Sequence, residues 1–172
     1  MSHFSSITTR LTDRDALVAG LKAVLAAVGI SEPLIEVHDP AQRLENSYDP
    51  SDRAYGNVIV RRGCIPRSDW RDGIAAIDLG FALQADGTYE AICDAWDIRY
   101  NVVGQYFQAA NNPLTAFLGA VTTQHNLAYV KAQYPTEVWS HSDLVETADG
   151  WQLTLTQKPK AVDLAMVNGG LY

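Results

Sequence analysis

Ile74-Ala-Ala-Ile-Asp-Leu-Gly-Phe-Ala-Leu-Gln-Ala-Asp-Gly-Thr-Tyr-Glu-Ala-Ile-Cys-Asp-Ala-Trp-Asp97 is the stretch whose reading decides the fold. Two apolar runs flank Asp86-Gly87, a pair that favours a two-residue hairpin turn, so the stretch reads as antiparallel strands. Asp78, Asp94 and Asp97 sit among these hydrophobic neighbours. An acid buried in such a run is costly unless paired or hydrogen-bonded. Each therefore needs a structural partner or a chemical role.

A two-residue turn sets Gln84 opposite Tyr89, Gly80 opposite Cys93 and Asp78 opposite Ala95. Alternation then gives one face of small residues (Gly80, Ala82, Ala91, Cys93) that also carries Asp78 and Asp97. The other face is bulky, with Leu79, Phe81, Ile92, Asp94 and Trp96. Asp78 and Asp97 become diagonal neighbours about 7–8 Å apart, a spacing at which two carboxylates bind a cation or share a proton. The more ordinary arrangement pairs each acid with an arginine or with backbone amides, and it places Asp94 at the sheet end or on an N–H. A slip of one residue in register exchanges the faces and dissolves the pairing.

Outward from the hairpin, Phe4–Leu11 alternates as a first strand. Thr12-Asp-Arg-Asp15 resembles a capping box with the Thr12 hydroxyl as cap, and Leu17, Leu21, Val24, Leu25 and Val28 follow at helical spacing up to Gly29. Leu34–His38 and Asn57–Arg61 read as short strands. The polar segment 39–56 between them reads as a loop or insertion. Asn112-Pro113 starts a long helix that presents Leu114, Phe117, Leu118, Val121 and Ala128 and ends before Pro135; an extra helical turn at Val102–Gln108 is left open. Glu137–Val145 and Trp151–Thr156 form a second hairpin through Asp149-Gly150.

The expected architecture is one α+β domain over residues 1–158, with a largely antiparallel sheet and two main helices packed on one face. Residues 159–172 are expected to form a C-terminal extension.

The chain has 172 residues, 47% hydrophobic and 19% charged, as in ordinary globular proteins. Its net charge of −7 argues against general nucleic-acid binding. Two cysteines, not spaced as Cys-x-x-Cys, point to a reducing compartment. The N-terminus lacks signal-peptide features, and no apolar run approaches the about 18 residues needed to span a bilayer. The expected location is the cytoplasm, or the plastid stroma for a plastid-encoded chain.

Gln124 and His125 fall on the apolar stripe of the late helix. The late helix is expected to pack on the small-residue face, where they could meet Asp78 or Asp97 as a carboxylate–histidine pair suited to proton transfer or metal binding; a buried histidine satisfied by one hydrogen bond is commoner. Cys64 lies among Arg61, Arg62 and Arg67, which could activate a thiol or bind an anion, although a solvated basic loop is the simpler reading. No metal-ligand spacing, phosphate loop or nucleophile elbow is present, and no cofactor is expected.

The start Met1-Ser-His-Phe-Ser5, Asp78-Leu-Gly-Phe81, Tyr89-Glu90 followed by Asp94-Ala-Trp96, and Gln124 to Tyr129, taken in order, resemble the small family of hypothetical chloroplast proteins of plastids, cyanobacteria, other bacteria and some phages. The resemblance covers residues 1–156. It implies a free-standing accessory module and carries no reaction or catalytic residue with it. The expected function is therefore an accessory or binding module that contacts a protein partner or small ligand through Asp78, Asp94, Trp96, Asp97, Gln124 and His125. Two alternatives stand beside it: a metal-dependent or acid/base enzyme using Asp78, Asp97 and His125, and an assembly protein that self-associates through a sheet edge.

Overall fold

The computed structural model describes residues 3–148 and 150–159. Contacts group the chain into two compact units, Met1–Tyr129 and Val130–Tyr172.

In the first unit, β1 (Ser5–Leu11) leads to α1 (Arg14–Ala27), followed by β2 (Ile35–Arg43), β3 (Tyr55–Val60), β4 (Leu79–Leu83) and β5 (Tyr89–Cys93). The five strands make one antiparallel sheet in the order β1-β5-β4-β3-β2. Two short helices, α2 (Ala95–Tyr100) and α3 (Val102–Tyr106), precede the long α4 (Pro113–Gln133), whose last turn from Val130 belongs to the second unit. The turn left open at Val102–Gln108 is thus helical. The α+β class, the antiparallel sheet and the packing of α1 and α4 on one face agree with the sequence reading.

Local chemistry sets the helix starts. Asn112 accepts from the Thr115 amide at 3.1 Å and Pro113 occupies the first helical position, where its missing N–H costs nothing. For α1 the cap is Asp13, not Thr12: its Oδ1 accepts from the Ala16 amide at 2.8 Å. A carboxylate caps at least as well as a hydroxyl. Gly29, at φ +100, takes the left-handed position after the Val28 cap.

The main core joins Leu17, Leu21 and Leu25 of α1 and Phe117 and Val121 of α4 to Val58, Val60, Leu79, Phe81, Ala91 and Cys93 of the sheet. Gly20 lets the helices approach: a Cβ there would lie 2.8 Å from the His125 amide nitrogen and 3.1 Å from the Val121 carbonyl oxygen.

The hairpin register differs by one residue from the expected one. Gln84 N–H donates to Thr88 O, Gly87 N–H donates to Gln84 O, and Gly87 sits at φ +84. This is a three-residue loop with a left-handed glycine. Gly80 therefore pairs with Ile92, and Phe81 pairs with Ala91. Ala91 and Cys93 move to the face of Leu79 and Phe81 under the helices, leaving Gly80, Ala82 and Ile92 on the opposite face.

That opposite face is covered by the segment whose polarity predicts a loop or insertion, and among the described residues no helix packs in its cluster. β2 runs on through Arg43, the fully buried Leu44 packs with Ile59 and Ile92, and Asn46 bridges to Ile77. A Cβ on Gly80 would fall 2.6 Å from Leu44 Cδ1, so the small residue is the seat of the leucine. Leu44→Ala is expected to lower stability by about 2–5 kcal/mol, measured by urea unfolding. An unchanged midpoint would show that the segment is a dispensable loop.

In the second unit, β6 (Trp139–His141) pairs with β9 (Leu155–Gln157), and β7 (Val145–Thr147) pairs with β8 (Gly150–Gln152). The expected second hairpin thus exists as two short ladders. Between them Ser142 N–H donates to Thr154 O, and Ser142 Oγ accepts from the Thr154 amide. Thr147 pairs with Gly150 across the turn; Asp149 and residues 160–172 of the expected extension lie outside the described residues.

Candidate functional site

Asp78 and Asp97, expected to be neighbours, belong to separate networks. Asp78 precedes β4 and is 1% exposed. Its Oδ2 accepts from Arg61 Nη1 at 2.7 Å and the Glu45 amide at 2.8 Å, and its Oδ1 accepts from the Arg62 amide at 2.7 Å. Arg61 also reaches Glu36 Oε2 at 2.6 Å, where His38 Nε2 lies 2.8 Å away. A buried carboxylate with three donors, one of them a guanidinium, is satisfied as an ion. An open cleft of about 430 Å³ lies beside this network, lined by residues that include Arg43, Leu44, Glu45 and Arg61.

Arg61 and then His38 draw the Glu36 carboxyl down from 4.5 to about 2. A carboxyl lowered in the folded state contributes stability above its unfolded pKa and loses it as pH falls through the folded one. Stability is accordingly expected to decline between about pH 4.5 and pH 2. Glu36→Gln should flatten that part of a urea-midpoint-versus-pH profile; an identical slope in the variant would remove Glu36 from the cause.

Asp97 is not on a strand. β5 ends at Cys93, and Asp94 turns the chain into α2 by accepting from the Trp96 amide at 2.6 Å and the Asp97 amide at 3.2 Å. Its place at the end of the sheet, bonded to N–H groups, matches the ordinary reading of that acid. Burial pushes the Asp94 carboxyl up despite these donors. Asp97, 2% exposed, then points from the first turn of α2 into the protein, where its Oδ1 accepts from Arg67 Nη1 at 2.6 Å and the Ala76 amide at 2.9 Å.

Arg67 is 1% exposed, and its Nε also reaches Asp69 at 2.8 Å. Its guanidinium lies 4.5 Å from the ring centre of Trp96, 5.1 Å from that of Trp70 and 5.8 Å from that of Tyr100. Tyr48 stacks on Trp70 at 5.1 Å and meets Trp96 edge-on at 6.0 Å, while Trp96 and Tyr100 lie 5.0 Å apart. Tyr48, Trp96 and Tyr100 remain 41%, 41% and 40% exposed. The arginine thus holds the inner side of a ring cluster whose outer side faces solvent.

The remaining expected site residues lie elsewhere. His125 is buried, 3% exposed, and stacks with Tyr129. Its Nε2 accepts from the Asp13 amide at 3.3 Å, so the ring proton sits on Nδ1 and faces Asn126 Oδ1 at 2.9 Å. It pins the start of α1 and is paired with neither Asp78 nor Asp97. Gln124 follows the α1 contact at Gly20, half-buried. The helix bearing both residues covers the Leu79–Phe81 face, which is why neither meets the acids.

Arg61 and Arg67 spend their charge on internal carboxylates, and Arg62 reaches Asp72 at 3.4 Å and the Ala75 carbonyl at 2.8 Å. The three do not converge as an anion cradle. Burial raises the Cys64 thiol, which contacts the Arg61 carbonyl, and pushes Cys93 up to about 12. Neither thiol is activated. Among the described residues no three His, Cys, Asp or Glu side chains gather as a cation site, and no helix is long and apolar enough to cross a membrane.

Of the ring cluster, the sequence reading singled out only Trp96. Trp96 and Tyr100 stand four apart on a helix and must share a face, which was a usable signal. Tyr48 and Trp70 arrive from distant loops and carried none. No protein-family model, curated protein or solved structure matches this chain.

Proposed function

We propose that this protein is a binding module, without a reaction of its own, that takes its ligand or partner on the aromatic face formed by Tyr48, Trp96 and Tyr100 above Arg67. One observation carries the reading: three large rings stay about two-fifths exposed although they are locked by stacking and by a buried, doubly paired guanidinium. Rigid, half-exposed aromatic side chains lose little entropy on contact and bury much area, which is what binding hot spots require. The acids that would serve an enzyme are engaged as structural ions. The resemblance to the hypothetical chloroplast protein family points the same way, toward an accessory module.

The test is a metal-free preparation screened for turnover beside ligand titrations. Binding that Trp96→Ala abolishes supports the module. Turnover of a defined substrate that Asp78→Asn eliminates would replace it with the acid/base enzyme. Oligomerisation through the sheet edge is less favoured at β2, which carries Pro40, Arg43 and a break in register between Val37 and Gln42, devices that blunt edge pairing.

A further inference from the structure

Resting on that reading, we infer that the ligand is an uncharged oligosaccharide, which stacks on Trp96 and Tyr100 and threads into the adjoining cleft between α2, α3 and the start of α4. Tyr100 belongs to both features: it is part of the ring cluster, and it lines a cleft of about 500 Å³ with Arg99, Gln105, Gln108, Asn111 and Asn112. This volume falls within the range of about 300–1,000 Å³ typical of small-molecule sites.

The chemistry of the lining selects the class. Four of its side chains are carboxamides; Asn112 Oδ1 caps α4, and Gln105, Gln108 and Asn111 each carry a carbonyl acceptor beside an NH₂ donor. Such pairs suit neighbouring hydroxyls, which donate and accept at once. Among the described residues no carboxylate lines the cleft and its one cation is Arg99, which lies 6.0 Å from the Tyr100 ring centre.

At the ring cluster, Arg67 is held between Asp69 and Asp97, so its charge is spent internally and does not attract an anion. Arg67 also fills the inner face of Trp96, leaving the outer face for the weakly polarised C–H groups of a pyranose. Together these features place an apolar stacking surface next to a neutral, hydrogen-bond-rich cleft. A nucleic acid would need a run of basic neighbours for its phosphates, whereas the rings have Arg71 over Trp70 at 5.2 Å and Arg99 over Tyr100 at 6.0 Å, in a chain of net charge −7.

The experiment titrates the full chain with cellohexaose, maltohexaose and chitohexaose, followed by tryptophan fluorescence and calorimetry. A proline-rich decapeptide and an oligouridylate serve as further arms. Saturable binding of at least one hexasaccharide is expected, weakened about tenfold or more by Trp96→Ala and by Tyr100→Ala and severalfold by Gln105→Ala, with Trp151→Phe unchanged. Circular dichroism confirms that each variant is folded, and Gln105→Ala, which removes no ring, provides a reading if Trp96→Ala does not fold. Binding only of the peptide or the oligonucleotide, lost in Trp96→Ala, overturns the saccharide and keeps the aromatic binding face. No binding in any arm, or binding indifferent to Trp96, Tyr100 and Gln105 alike, overturns both.

Discussion

Arg67→Ala is expected to destabilise the protein by about 3–5 kcal/mol, the usual cost of stranding one member of a buried ion pair. Among the described residues the substitution leaves Asp97, 2% exposed, with the Ala76 amide as its remaining donor. It also empties the space beneath Trp70, Trp96 and Tyr100, so the rings lose their support along with the charge. Arg67→Lys should not rescue the fold, because an ammonium cannot span Asp69 and Asp97 while lying flat against indole. Replacing both partners, as Arg67→Met with Asp97→Asn, should lose less than Arg67→Ala alone. Urea unfolding monitored by tryptophan emission gives all three values. A loss below about 1 kcal/mol for Arg67→Ala, the level of an exposed pair, would mean that this guanidinium is not the keystone of the cluster.

Gly104→Ala should be comparably damaging for a steric reason. A Cβ at Gly104 would fall 2.1 Å from the Ile98 carbonyl oxygen and 2.7 Å from Arg99 Cα. These are backbone atoms of α2, which cannot rotate away as a side-chain tip can. The cost should therefore meet or exceed the upper end of the about 1–3 kcal/mol usual for overpacking. Faster amide exchange should be confined to the α2–α3 corner, where Asn101 accepts from Val103 and Gly104. Because the same glycine lines the cleft beside Tyr100, ligand binding should fall with stability. An alanine variant as stable as the parent would show that the corner has room to open.

The parts legible in the sequence are those governed by neighbours a few residues away. The helix over Leu17–Val28, the Asn112-Pro113 start and the strands around Asp86-Gly87 follow from periodicity and capping, and the structure has them. The hairpin register was lost to a single residue: Asp-Gly can close a two-residue turn or sit at the end of a three-residue loop, and Gly87 takes the second role. That one step reassigned Ala91 and Cys93 and detached Asp97 from Asp78. The 39–56 segment is polar on average, yet its one decisive side chain, Leu44, is fully buried; composition hides a lone anchor. Asp78 finds Arg61 seventeen residues away and Asp97 finds Arg67 thirty residues away, distances at which no local pattern speaks. The expectation that the acids were arginine-paired was sound chemistry, but the partners required the fold.

Leu44 seated on Gly80 also decides where this polypeptide can be lengthened. From Leu44 to Asn46 the segment is stitched to the sheet by the leucine, by the Glu45 amide on Asp78 and by the Asn46 bridge to Ile77. A residue added there would pull the plug out of register and uncover an ionised carboxylate. A few positions on, Ser51 is exposed and bonded only within its own turn, to Asp49. An epitope or fluorophore grafted between Asp49 and Ser51 would lengthen the excursion while leaving all three of these moorings in place.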